Sequence, residues 1–430
     1  MFAKFKQIFD PKNKDLRKRI YFTFIVLFIF KLGTTIIVPG LDKENLGTSS
    51  LGFLELLNVM GGGALAQFSI FALGVSPYIS ASIVTTLFQA GIIPYFVELS
   101  KQGQTGRAKL NQINRYIGIA LAFIQGYFYS YMFIKNGTAI QYMTYALILT
   151  AGTALVLWMA DQITQKGIGN GVSLIIMAGI IATLPNMFAS LWSELVVTTT
   201  TQALFLGLTK FLLFVILYVA ILIGIIFVET AERRVPIQYA NKSTVAYGKQ
   251  QTYIPFKLNS SGVMPVIFAS MLFAIPAFIA KVVNKANVTL FVNKWLTTST
   301  VTGFVIYIIC IFAFAYFYTF LQLKPDELTD DLSKNGGFIP GVRPGKETEG
   351  YIKTILKRIT TIGAFSLAII AGIPIVFGAV SNLSTNVTIG GTGLLIVVGV
   401  ALETYKQLDS ELVTRSYTKI KRGRRRKSWI

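Results

Sequence analysis

Histidine is absent from this chain, and cysteine occurs once, at Cys310. Without imidazole there is no His-based catalytic triad and no His/Cys metal site. A single thiol cannot close a disulfide within the chain. Acids are scarce too: 19 Asp and Glu stand against 40 Lys and Arg, a formal charge of +21. Charged residues make up only 14% of the sequence, where a soluble domain carries about 25%.

What fills the space is apolar. Hydrophobic residues are 53% of the chain and the mean hydropathy is +0.60. A bilayer core takes about 20 apolar residues per helix. Runs of that kind recur at 20–38, 76–93, 116–134, 142–160, 172–189, 210–230, 262–281, 301–322, 359–379 and 388–405, which predicts ten spans. The basic N-terminus leads into the first run without a small-residue cleavage site, so that run reads as a retained helix rather than a signal peptide. The stretch 52–74 is apolar but too rich in glycine and polar residues to span by itself.

The cations sort by side. With the N-terminus in the cytoplasm, 33 of the 40 fall on inside segments and five on outside loops, with Lys31 and Lys210 at span edges. The positive-inside rule predicts that split, and it demotes a nucleic-acid reading of the charge. Anionic lipid at the cytoplasmic face accounts for most of it. The inside loops 231–261 and 323–358 and the tail 406–430 are nonetheless long and basic. They read equally as docking surfaces or as topology signals.

A repeat lies inside the chain. Gly74-Val75-Ser76-Pro77-Tyr78-Ile79-Ser80-Ala81-Ser82 matches Gly262-Val263-Met264-Pro265-Val266-Ile267-Phe268-Ala269-Ser270 at six of nine positions. The first opens the second span and the second opens the seventh, and those spans run in opposite senses. A fainter pair, Gly169-Asn170-Gly171 and Gly391-Thr392-Gly393, opens spans five and ten. This is the pattern of an inverted five-plus-five repeat with a functional path between halves. Two classes fit: a secondary transporter of a small solute, and a channel. Ion-coupled transporters place ionisable groups within spans. Here acids such as Glu229 and Glu403 lie only near span ends, which favours a pore. The run Gly167-Ile168-Gly169-Asn170-Gly171 lacks the preceding strand and acidic partner of a dinucleotide site. The chain therefore reads as a non-enzyme without cofactor or metal.

Six blocks, in order, carry a family resemblance. They are GFLELLNVMGGGALAQFSIFALGVSPYISASIVTTLF (52–88), WMADQITQKGIGNGVSLIIMAGI (158–180), ERRVPIQYA (232–240), LNSSGVMPVIFAS (258–270), GGFIPGVRPGKETEGYI (336–352) and GGTGLLIVVGVALETYKQL (390–408). Together they resemble the SecY/Sec61α family in its bacterial form. The resemblance implies an all-α polytopic membrane protein, with ten transmembrane helices in two inverted five-helix halves closed as a clamshell on an hourglass pore. The halves would be 20–209 and 210–405, flanked by a basic N-terminus 1–19 and the tail 406–430. Unfolded secretory proteins would pass the pore, and hydrophobic segments would leave sideways into lipid.

The resemblance also implies roles for particular residues. The stretch 52–74 would be a re-entrant plug. Gly61, Gly62 and Gly63 make its backbone too entropic for a stable span. Glu55, Asn58 and Gln67 need water or protein partners at membrane depth. An aliphatic pore ring would fall on Ile79, Ile83, Val172, Ile176, Met264 and Ile396; two of its pairs have i,i+4 spacing, on one helix face. Such a constriction dewets, yet yields to a passing chain. Asn259, Ser260 and Ser261 would help set a lateral gate where spans two and three meet seven and eight, although polar residues at a helix start commonly cap it. Arg233, Arg234 and Arg343 would dock the ribosome, through phosphate contacts to its RNA, or the SecA motor. The further implied partners are the small SecE and SecG subunits, signal peptides, nascent chains and anionic lipids. The implied location is the bacterial cell membrane, with both termini cytoplasmic.

Overall fold

The computed structural model describes residues 14–40, 55–134, 137–196, 201–239, 252–283, 285–297, 300–381 and 393–412. The chain divides into two compact units, Met1–Ala189 with Ile396–Ile430, and Ser190–Leu395.

The first unit holds α1 (Lys14–Gly33), α2 (Glu55–Met60), α3 (Ser76–Leu87), α4 (Pro94–Lys101), α5 (Gly103–Phe133), α6 (Ala139–Lys166), most of α7 (Gly171–Leu195) and most of a last helix over 393–412. Local chemistry sets several boundaries. Thr138 and Gln141 form a reciprocal capping box that starts α6, with the Thr138 amide donating to Gln141 Oε1 at 2.9 Å. After Leu87 the α3 helix widens into a π-type turn over Phe88–Ile92, and the chain then bends by 95° into α4. Gly91, at φ +117°, adopts a backbone that a side chain would strain, and Pro94 opens α4 without needing an amide partner. The apolar run 76–93 thus ends at a corner.

Small residues let these helices approach closely. A Cβ built on Gly118 of α5 would lie 3.3 Å from the Tyr78 Cα of α3, and one on Gly126 would lie 3.3 Å from the Ala146 Cα of α6. Polar links fix the register. Thr85 hydrogen-bonds Asn114, and Arg115 pairs with Asp161 at 2.6 Å. At the other margin of this unit, Arg19 meets Glu411 at 3.1 Å, and the Ile168 amide donates to Thr23 Oγ1 at 3.2 Å. Leu16 and Ile168 are buried beneath them against Ile20, Leu408 and Leu412.

The second unit contains α8 (Thr201–Thr230), α9 (Met264–Val283), α10 (Ala286–Trp295), α11 (Val301–Gln322), α12 (Pro325–Lys334) and α13 (Lys346–Ser381). The two members of the nine-residue repeat start their helices alike. Gly74 and Gly262 sit in the left-handed region, at φ +53° and +62°, two residues before α3 and α9, and a proline follows in each first turn.

The expectation of an all-α chain needs one correction. β1 (Glu232–Tyr239), β2 (Thr252–Lys257) and β3 (Gly337–Phe338) form an antiparallel sheet in the order β2-β1-β3. Alternation explains it: Val235, Ile237 and Phe256 face inward while Glu232, Arg234 and Pro236 face out. Their inner face shares a core with Leu332, Ile339, Ile352, Ile355, Leu356 and Ile359 from α12, the β3 turn and α13. The described parts of the two loops, 231–239 and 252–261 with 323–358, therefore fold together, each supplying apolar surface that the other covers.

Among the described residues, five helices are long and apolar enough to cross a membrane: Ala139–Lys166, Gly171–Leu195, Leu204–Thr230, Val301–Lys334 and Lys346–Phe377. The bent pair Ser76–Ile92 and Pro94–Lys101 makes a sixth if counted as one span, and Met264–Pro276 is a shorter apolar helix. The expected runs 20–38 and 116–134 fall on α1 and α5. The first carries cations at both ends, and the second is rich in tyrosine and glycine.

Candidate functional site

The stretch between α1 and α3 is the distinctive part of the first unit. α2 lasts six residues, because Gly61, Gly62 and Gly63 follow it and the last two take positive φ, +73° and +86°. The chain then doubles back through 64–75, which is mostly buried. Asn58 is buried, and its Oδ1 accepts from the Ala66 amide at 2.9 Å, clasping the two limbs of the turn. Gln67 is exposed, and the side chain of Glu55 lies outside the described residues, as do 52–54. The polar demand foreseen at Asn58 is thus met from within the segment itself.

The segment is held from three sides. The Val38 amide donates to the Phe68 carbonyl at 3.2 Å and the Ile70 amide to the Ile36 carbonyl at 3.0 Å, a short ladder centred on Ile37 and Ser69. Phe68 is buried in the left-handed region at φ +46°, a strain that the surrounding packing sustains. Phe71 stacks on Phe30 of α1 with ring centroids 6.0 Å apart. A Cβ on Gly152 of α6 would lie 2.0 Å from the Ile70 carbonyl oxygen, and one on Gly179 of α7 would lie 2.3 Å from that of Met60. Both distances are impossible for a real side chain, so these helices touch the segment backbone to backbone. Lys31 Nζ donates to the Gly62 carbonyl at 3.1 Å. Sequence reasoning left Lys31 at a span edge and passed over Gly179. The signals were a cation next to an apolar run and a glycine inside the aliphatic run SLIIMAGII.

Of the six aliphatic candidates, Ile79, Ile83, Val172, Ile176 and Ile396 lie in the first unit and Met264 in the second. Ile79 and Ile83 share a face of α3, and Val172 and Ile176 a face of α7. Ile79, Ile176 and Ile396 are buried, and Ile83, Val172 and Met264 are half-buried.

Asn259, Ser260 and Ser261 lie in the turn that precedes α9. Asn259 is 2% exposed, and its Nδ2 donates to Glu229 Oε1 at 2.6 Å and to the Gly262 carbonyl at 3.0 Å. Ser261 Oγ donates to Asn259 Oδ1 at 3.1 Å, and Ser260 Oγ to the Lys257 carbonyl at 2.7 Å. Asn259 thereby joins the end of α8 to the turn that opens α9. Replacing Asn259 by Ala should destabilise this unit by about 1–3 kcal/mol, because a buried charge-assisted bond is lost. A lowered unfolding midpoint in detergent, without change for Ser260→Ala, is the expected readout.

Arg233, Arg234 and Arg343 are all exposed, on the body built from the two basic loops. Arg234 is tethered: Nε donates to Glu232 Oε1 at 2.8 Å, and its guanidinium lies 4.8 Å over the Tyr253 ring. The Glu232 hydrogen bond raises its pKa above the ordinary guanidinium value, so it stays charged at any physiological pH. Arg343 sits in a turn shaped by Gly341 and Gly345, at φ +85° and +99°, and its carbonyl accepts from Thr348 Oγ1 at 2.8 Å. The tail after 412 lies outside the described residues.

Long apolar helices, a helix pair bent at a corner and a buried segment too short to span define a polytopic membrane protein with an internal, non-spanning insertion. A family model described as SecY matches residues 69–405. The chain is 45% identical to the protein translocase subunit SecY of Bacillus subtilis over 94% of its length and 96% of that protein's. It is 43% identical to the subunit of the same name in Staphylococcus epidermidis, over 97% and 99%. The chain belongs to the SecY family. Its fold is similar to that of a solved protein conducting channel, with a TM-score of 0.70 at 17% identity over 93% of each chain. It is also similar to Sec61 in the canine ribosome-channel complex from the endoplasmic reticulum, with a TM-score of 0.68 at 16% identity over 93% of each.

Proposed function

We propose that this chain is the pore-forming subunit of a protein-conducting channel, passing unfolded secretory proteins across the membrane and releasing hydrophobic segments into the bilayer. One observation carries the reading: nearly the whole chain matches protein translocase subunits, and within that match lies a segment too short to span and mostly buried over 57–75. In this reading ten spans form two inverted five-helix halves. The 52–74 segment is the plug. The aliphatic candidates, including Met264, form the seal. Asn259, Ser260 and Ser261 bias the lateral gate. The membrane is the bacterial plasma membrane with both termini inside, which the 33-to-five division of cations supports.

The body carrying Arg233, Arg234 and Arg343 is the dock for the ribosome or the SecA motor, with SecE and SecG as the small companion subunits. Exposed guanidinium groups on a rigid sheet and turn suit phosphate or carboxylate contacts. The test is translocation by proteoliposomes that hold the chain with its companions and a motor or ribosome. A labelled unfolded precursor should become protease-protected, and Arg343→Glu should reduce that protection while membrane accumulation of the chain stays normal. Accumulation of a small solute against a gradient, with no precursor protected, would instead identify a secondary transporter.

A further inference from the structure

Lys31 is a cation that neither the proposed docking surface nor the inside-outside count of charges uses. Lys31 lies in the last turn of α1, half-buried beside Phe30, which is 1% exposed. A lysine near a helix end ordinarily snorkels toward water. Here the ammonium turns to the Gly62 carbonyl at 3.1 Å. The neighbouring carbonyls are engaged locally: those of Leu57, Val59 and Asn58 accept from the amides of Gly61, Gly62 and Gly63 at 2.9, 3.1 and 2.8 Å. The Lys31 bond is different in kind, because it runs from α1 to the tip of the short segment and its donor is charged. Such bonds are about twice as strong as neutral ones. Gly62 brings no side chain of its own, so at the tip the bond to α1 is made through the backbone carbonyl.

We propose that Lys31 is a charged latch, a positioning residue that holds the 55–63 segment docked in the resting protein. This rests on reading that segment as the plug. Release requires the ammonium to give up the Gly62 carbonyl, and the open state returns Lys31 to water. Loss of the latch is worth a roughly 10- to 150-fold shift toward the undocked segment.

Docking is read directly by a cysteine at Val59, which is 8% exposed, in a Cys310→Ser background. A membrane-impermeant maleimide is applied to both sides of proteoliposomes. Lys31→Met, which keeps the length and loses the donors, should raise the labelling rate roughly 10- to 150-fold. Lys31→Arg should restore it to near the parent, which a purely steric role would not, and Lys31→Gln should fall between. Labelling of Lys31→Met and Lys31→Gln at the parent rate overturns the latch. The plug reading is judged separately by resting ion conductance after deletion of 57–67. Unchanged conductance refutes the plug while the labelling result still decides the latch.

Discussion

Replacing Gly179 by Ala is expected to raise the undocked population of the 55–63 segment roughly 5- to 150-fold, with a matching rise in resting ion conductance. The new Cβ would lie 2.3 Å from the Met60 carbonyl oxygen, and 3.0 Å from both the Met60 carbonyl carbon and the Gly62 amide nitrogen. All three are backbone atoms, so no rotamer change relieves the clash; the segment or α7 must move. Overpacking of this kind typically costs about 1–3 kcal/mol. Alanine also strengthens α7 by about 1 kcal/mol relative to glycine, but it does so whether the segment is docked or not, so that gain cancels from the difference. Gly224 of α8 supplies the control, since a Cβ there meets nothing within 4 Å. Gly224→Ala should leave labelling of a cysteine at Val59 and the conductance at parent levels. Equal behaviour of the two alanine variants would falsify the docking surface on α7.

Gly179 and Lys31 also mark where the sequence stops speaking. Membrane class followed from composition, because a shortage of charge and repeated apolar runs admit few other solvents. That 52–74 could not span followed from three consecutive glycines and from Asn58, and the structure gives Asn58 the partner it needed. Which partner was not legible. The clasp to Ala66 depends on two successive positive-φ turns, whose path is set by packing against α1, α6 and α7 rather than by local propensity. The sheet escaped notice for a related reason. Its strands hold prolines and arginines and pair across a long sequence separation, Gln238 with Phe338 for instance. The alternation of Val235 and Ile237 was the available signal, and only the shared core with Ile352 and Leu356 gives it meaning. The corner after Ile92 was written in Gly91 and Pro94, but an apolar run that continues through both hides it from a hydropathy reading.

Simultaneous replacement of Ile79, Ile176 and Ile396 by Gly should make the resting channel leak small ions. An aliphatic constriction holds back ions by dewetting rather than by any fixed bond, so its seal depends on side-chain volume at a narrow point. Removing that volume should admit water and ions. The same change also removes packing, since these isoleucines are 7%, 5% and 2% exposed, and each loss costs about 2–5 kcal/mol. Leak alone is therefore ambiguous, and a matched triple is needed. Leu16, Leu149 and Ile163 are each 0% exposed in the same unit and outside the proposed ring. Their replacement by Gly removes similar apolar volume from the interior without touching the constriction. Conductance across planar bilayers should rise for the first triple and stay at the parent level for the second, with both proteins inserted at measured density. Equal leak from both triples would mean that loosened packing, not a lost seal, opens the path, and the ring assignment would fall.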